Sequence, residues 1–176
     1  MFHPGTSALI DAWRALPDAE RVPARAAFDP MVLGPQLPRV WSAGRADGDR
    51  WPLRLAGGWM EQLHGAALVN VDWLDLWRAD SRPLILATIQ RAVREARPYV
   101  VVADSPLLAG PIEVALAPFR DRTGAADRLI GCYQPVHASD LAAESIGALS
   151  ARLATATGDV RRAPLALATL DGRRIA

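Results

Sequence analysis

Residues 81–136, SRPLILATIQRAVREARPYVVVADSPLLAGPIEVALAPFRDRTGAADRLIGCYQPV, decide the fold. Ser81 and Pro83 stand where a helix begins, and Ile85, Ile89, Ala92, Val93 and Ala96 then recur on one helical face, with Arg91, Arg94 and Arg97 on the other. That spacing predicts an amphipathic helix over 81–97. Three apolar runs follow, at 99–103, 112–119 and 128–136, each of strand length. The polar stretch 120–127 between the last two suits an antiparallel connection.

Working toward the N-terminus, Trp73, Leu74 and Trp77 give a short helix over 72–77, and 59–63 gives another, ended by Gly65. Both are too short to stand without tertiary support. Residues 39–44 and 51–56 read as two strands, because Ala46-Asp47-Gly48-Asp49 between them has the composition of a hairpin turn. Pro23, Pro30, Pro35 and Pro38 allow regular structure only in short pieces before them, with one helical turn around 31–37. At the start, Thr6 and Ser7 can cap a helix over 7–16 whose stripe is Leu9, Ile10, Trp13 and Leu16. Toward the C-terminus a helix is expected over 141–154 and a strand over 165–170. The whole is expected to be one α+β domain spanning 1–176, with its core at about 28–138 and a tail from 139.

The bulk numbers fit one such core. The chain has 176 residues, 51% of them hydrophobic and 22% charged, with six tryptophans. Its basic residues are all arginine, scattered and matched by 19 acids, so the basic stripe that nucleic acid requires is missing. A single cysteine, Cys132, rules out an intrachain disulfide, and three scattered histidines supply no metal-ligand cluster. No segment reaches the roughly 18 apolar residues of a membrane span, nor does residue 1–12 carry a basic leader, which predicts a cytoplasmic protein.

One set of motifs is more specific. Trp13 is followed by Pro23-Ala24-Arg25, Phe28-Asp29-Pro30, Leu37-Pro38 and Arg54-Leu55-Ala56-Gly57, then by Glu61-Gln62-Leu63-His64-Gly65 and Leu129-Ile130-Gly131. This pattern resembles the short single-domain PAS proteins of alphaproteobacteria, of the motility and cell-cycle regulator type, over about residues 7–136. The resemblance implies a five-stranded antiparallel sheet with helices on one face, plus the N-terminal amphipathic helix. It also implies a regulatory sensor or interaction module that binds signalling proteins, such as histidine-kinase pathway components, with possible control by a small ligand.

Catalytic machinery is not evident: no phosphate-binding glycine loop, nucleophile elbow or zinc-protease motif occurs, so an enzyme is not expected. The alternative is an α+β protein that binds or processes a small molecule in an aromatic pocket. The resemblance also argues against haem and flavin: haem-binding PAS proteins carry the axial histidine on the long helix, and residues 81–97 hold none, while photoreceptor PAS domains carry the reactive cysteine in an Asn-Cys-Arg helix motif, and Cys132 belongs to a strand. His64, before Gly65, reads as a surface residue or a partner of the helix C-terminus. Arg54, between Leu53 and Leu55, is expected either to pair with Glu61 or Asp72 or to receive an anionic ligand group. If sheet and helix enclose a cavity, Trp41, Trp59, Trp77, Ile89 and Val93 are its expected walls and Arg54 its polar anchor. The stripe Leu9, Ile10, Trp13 and Leu16 must be buried somewhere, either capping the free face of the sheet or building a homodimer contact.

Overall fold

The computed structural model describes residues 1–19, 21–106, 108, 110–136 and 148–158. The first helix, α1, spans Pro4–Arg14, three residues earlier than its apolar stripe predicts. His3 and not Thr6 or Ser7 provides the cap: its Nδ1 accepts from the Gly5 N–H at 3.1 Å, and Pro4 sits where a helical N–H has no partner to lose. The proline-rich region forms two 3-10 segments, Arg25–Ala27 and Pro30–Arg39, the second broken at Gly34, whose φ of 45° suits glycine.

Strands β1 (Val40–Gly44) and β2 (Leu53–Ala56) pair antiparallel with an irregularity between Ser42 and Ala43. Helix α2 (Gly58–His64) ends on left-handed Gly65, and the 3-10 turn Trp73–Leu76 is capped by Asp72, which accepts from Leu74 N–H at 3.1 Å. Helix α3 (Arg82–Glu95) matches its predicted span closely. Strands β3 (Tyr99–Asp104), β4 (Ile112–Phe119) and β5 (Arg128–Pro135) follow as the three apolar runs predict.

A sixth strand departs from expectation. β6 (Ser150–Ala156) takes the last five residues of the span assigned to a helix, 150–154, and the sheet order is β2-β1-β5-β4-β3-β6, every neighbouring pair antiparallel. Alanine and leucine favour helix locally, but the free edge of β3 offers Ser150–Ala156 a ladder from Asp104↔Ser150 to Tyr99↔Ala156, interrupted by one irregularity between Val102 and Ala103. Residues 141–147 of that expected helix and the expected strand over 165–170 lie outside the described residues.

The sheet is covered on both faces, with α1 capping the face opposite the other helices. On the inner face α2, the Trp73–Leu76 turn and α3 bury a core around Trp41, Trp73, Trp77, Leu116 and Tyr133. On the outer face α1 and the Pro30–Arg39 segment bury a second core that includes Leu9, Ile10, Trp13, Ile130 and Cys132. Burial on both sides is why β4 is apolar without alternation at every position but Glu113, whose carboxylate accepts from the His3 N–H. The α1 stripe is therefore covered within the chain: Leu9 is fully buried, Trp13 donates its indole N–H to the Pro118 carbonyl at 2.8 Å, and Leu16, past the helix end, is half-buried.

Candidate ligand site in the aromatic core

Trp41 projects inward from β1 opposite Gly131 of β5. The missing side chain there lets the indole lie across β5, for a Cβ at Gly131 would stand 2.4 Å from the Trp41 ring and 2.2 Å from the Ala115 carbonyl oxygen. Trp73 stacks on Trp41 with centroids 4.2 Å apart and planes 25° apart; Trp77 meets Trp73 edge-on at 5.7 Å and 88°. The Trp73 Nε1 donates to the Tyr133 hydroxyl at 3.2 Å, and the His64 ring meets Tyr133 edge-on at 6.0 Å. Ile89 of α3 is buried in the same core and Val93 is half-buried.

This aromatic assembly carries polar atoms without partners. Trp41 Nε1, Trp77 Nε1 and His64 Nε2 are shielded from solvent and meet no hydrogen-bond partner among the described residues. A buried polar atom left unpaired costs about 1–3 kcal/mol, so these three call for partners, acceptors in the case of the two indoles. Indole N–H groups only donate, whereas neutral imidazole can donate or accept. Burial holds His64 neutral, lowering its pKa from 6.5 to about 4, and burial also raises the Tyr133 phenol well above its ordinary value. His64 is half-buried with its ring edge-on to Tyr133, so it turns inward, contrary to its expected surface role.

The remaining sequence-predicted residues lie elsewhere. Trp59 is half-buried at the rim of the inner core, with the Arg39 guanidinium 5.2 Å over its ring. Arg54 is exposed on β2, and neither expected acid pairs with it: Glu61 accepts from Leu68 N–H, and Asp72 from Trp51 and Leu74 N–H, with Arg50 at 3.6 Å. The strand irregularity is the reason, since it leaves Leu53 in the core while Arg54 and Leu55 both stay exposed. Of the expected pocket set, the structure brings together Trp41, Trp77 and Ile89, and adds Trp73, Tyr133 and His64. Tyr133 was legible as a two-residue step from Gly131 along one strand; nothing in the sequence turns His64 inward. Cys132 points to the other face, its thiol pushed up to about 12 by burial. Among the described residues no group of three His, Cys, Asp or Glu could hold a metal ion, and no helix is long and apolar enough to cross a membrane.

The family described as "PAS domain" matches residues 1–134. Among solved structures, a light-oxygen-voltage domain studied with a flavin analogue is similar, with a TM-score of 0.46 and 15% identity, covering 61% of this chain and 82% of that one. The comparison with curated proteins finds no match.

Proposed function

The chain belongs to the PAS-domain family, and from that premise we propose that it is a regulatory sensor whose aromatic core takes up a small apolar molecule bearing hydrogen-bond acceptors. The observation that carries this reading is the set of unpartnered polar atoms at Trp41, Trp77 and His64, two of them indole donors, around one tryptophan stack. Flat apolar walls supply the burial and a few directed polar atoms supply selectivity, which is how ligand sites are usually built. The bound state is passed to a signalling partner, of which a histidine-kinase pathway component is the leading class.

Binding without turnover is favoured by the protonation states. A general acid or base works best with a pKa near the working pH, yet His64 sits near 4 and Tyr133 is raised above its usual value. Haem and flavin are left out of this reading: α3 carries no histidine and the one cysteine faces away from the aromatic cluster.

Native mass spectrometry of the purified chain tests the proposal. The expected result is a retained small mass, with retention much reduced in Trp77→Phe, which keeps the ring packing and removes the N–H. A bare chain, combined with no melting shift across a panel of aromatic carbonyl compounds, would refute the reading.

A further inference from the structure

The motifs that flank the N-terminal half play no part in the aromatic core, yet they meet at one place on the opposite face of the sheet. A cavity of about 260 Å³ opens there, with Ile130 and Ser42 beneath it, Leu37 on one wall, Leu55 on the other and Arg25 among its lining residues. Register explains the floor, since Ser42 pairs with Ile130 on one side and with Leu55 on the other, so all three side chains share a face. Pro23-Ala24-Arg25, Phe28-Asp29-Pro30, Leu37-Pro38 and Arg54-Leu55-Ala56-Gly57 each contribute a lining residue. Gly57 brings the two walls together: a Cβ there would stand 2.2 Å from the Pro38 carbonyl oxygen.

The lining is apolar apart from Ser42 and one charge, Arg25. Arg25 Nη1 donates to the Phe28 carbonyl at 3.0 Å, which fixes the guanidinium. That bond uses one of its five N–H groups, and no carboxylate among the described residues pairs with it. Arg54, next to the lining residue Leu55, likewise lacks an acidic partner among the described residues. Leu55 is 50% exposed at the groove, an apolar surface that water does not favour.

We propose that this outer groove binds a medium-chain alkyl carboxylate, its chain over Leu37, Leu55 and Ile130 and its carboxylate on the Arg25 guanidinium. The charge sign decides the head group, because a fixed, planar cation without an acid suits a carboxylate, and a neutral head would leave that fork unmatched. The small volume decides the tail, which must be a short acyl chain and not a ring system of drug size.

Amide chemical shifts of the full chain, titrated with sodium octanoate, octanol or acetate, test this. Octanoate is expected to shift Arg25, Ser42, Leu55 and Ile130 saturably, acetate to leave them unmoved, and octanol to bind at least tenfold more weakly. Arg25→Gln should weaken octanoate by about tenfold or more without changing octanol, the size expected of a charge-assisted hydrogen bond. Because Arg25 also holds the Phe28 carbonyl, Leu55→Asp is the second variant: it sits at a half-exposed position and should abolish octanoate binding with the fold retained. Octanoate shifts confined to Trp77 and Ile89, no saturable shift, or wild-type affinity in both variants would overturn the proposal. Failure here is distinguishable from failure of the aromatic-core reading, because Arg25, Leu37 and Leu55 take no part in the tryptophan stack, whereas Trp77 and Ile89 belong to it.

Discussion

At the scale of single residues, His64 has the clearest consequence in solution. In the unfolded chain it takes a proton below pH 6.5; in the folded chain burial delays this to about pH 4. The unfolded state therefore holds more protons throughout that window, and stability must fall as pH drops from 6.5 toward 4. Between pH 7 and pH 5 the loss is roughly 2 kcal/mol. Urea unfolding at the two pH values is expected to show this slope in the wild type and to lose it in His64→Leu; equal slopes in both would mean that the folded imidazole titrates normally. Glu95 acts in a separate window. Hydrogen bonding from Tyr99 and the flanking arginines lowers its pKa from 4.5 to about 2, so its contribution is present above 4.5 and lost as pH falls through 2.

At the scale of elements, α1 is the member whose removal should be felt most. Trp13 is 2% exposed and its indole N–H is spoken for by Pro118. Trp13→Ala should cost about 3–5 kcal/mol, the usual range for truncating a buried aromatic residue. Asp11→Ala, on the solvent side of the same helix with only a 3.8 Å surface pair to Arg14, should stay within about 0.5 kcal/mol. Equal melting temperatures for the two variants would mean that α1 is not docked. Such elements were legible where periodicity and burial agree: the stripe of α1, the apolar face of α3 and the double-sided runs of β4 and β5. Arg54 and β6 were not. A bulge changes which way Arg54 faces without changing any residue type, and β6 is decided by a partner edge on β3 that no local propensity encodes. The aromatic site was half legible, because tryptophans announce burial but not which of them stack, and the inward turn of His64 depends on its packing against Tyr133, 69 positions away in the chain.

At the scale of the whole molecule, the antiparallel sheet is a wall between two cores, and β6 finishes it beyond the region that the family match covers. Leu149, just before β6, is fully buried against the inner core, and its backbone exchanges hydrogen bonds with Leu76 and Arg78. A chain cut after residue 136 should lose several degrees of melting temperature and self-associate through the uncovered edge of β3, as light scattering would show. An unchanged, monodisperse truncation would make β6 dispensable. The same topology also orders events in time. Trp13 and its acceptor on Pro118 are 105 positions apart in the chain, and β1 finds its second neighbour only in β5. On the ribosome, α1 emerges with its apolar stripe uncovered long before β4 and β5 exist to receive it, and closing so long a loop is slow. Until β5 is made, the nascent chain carries an exposed greasy helix, and the hazard of premature association during synthesis falls on its first element.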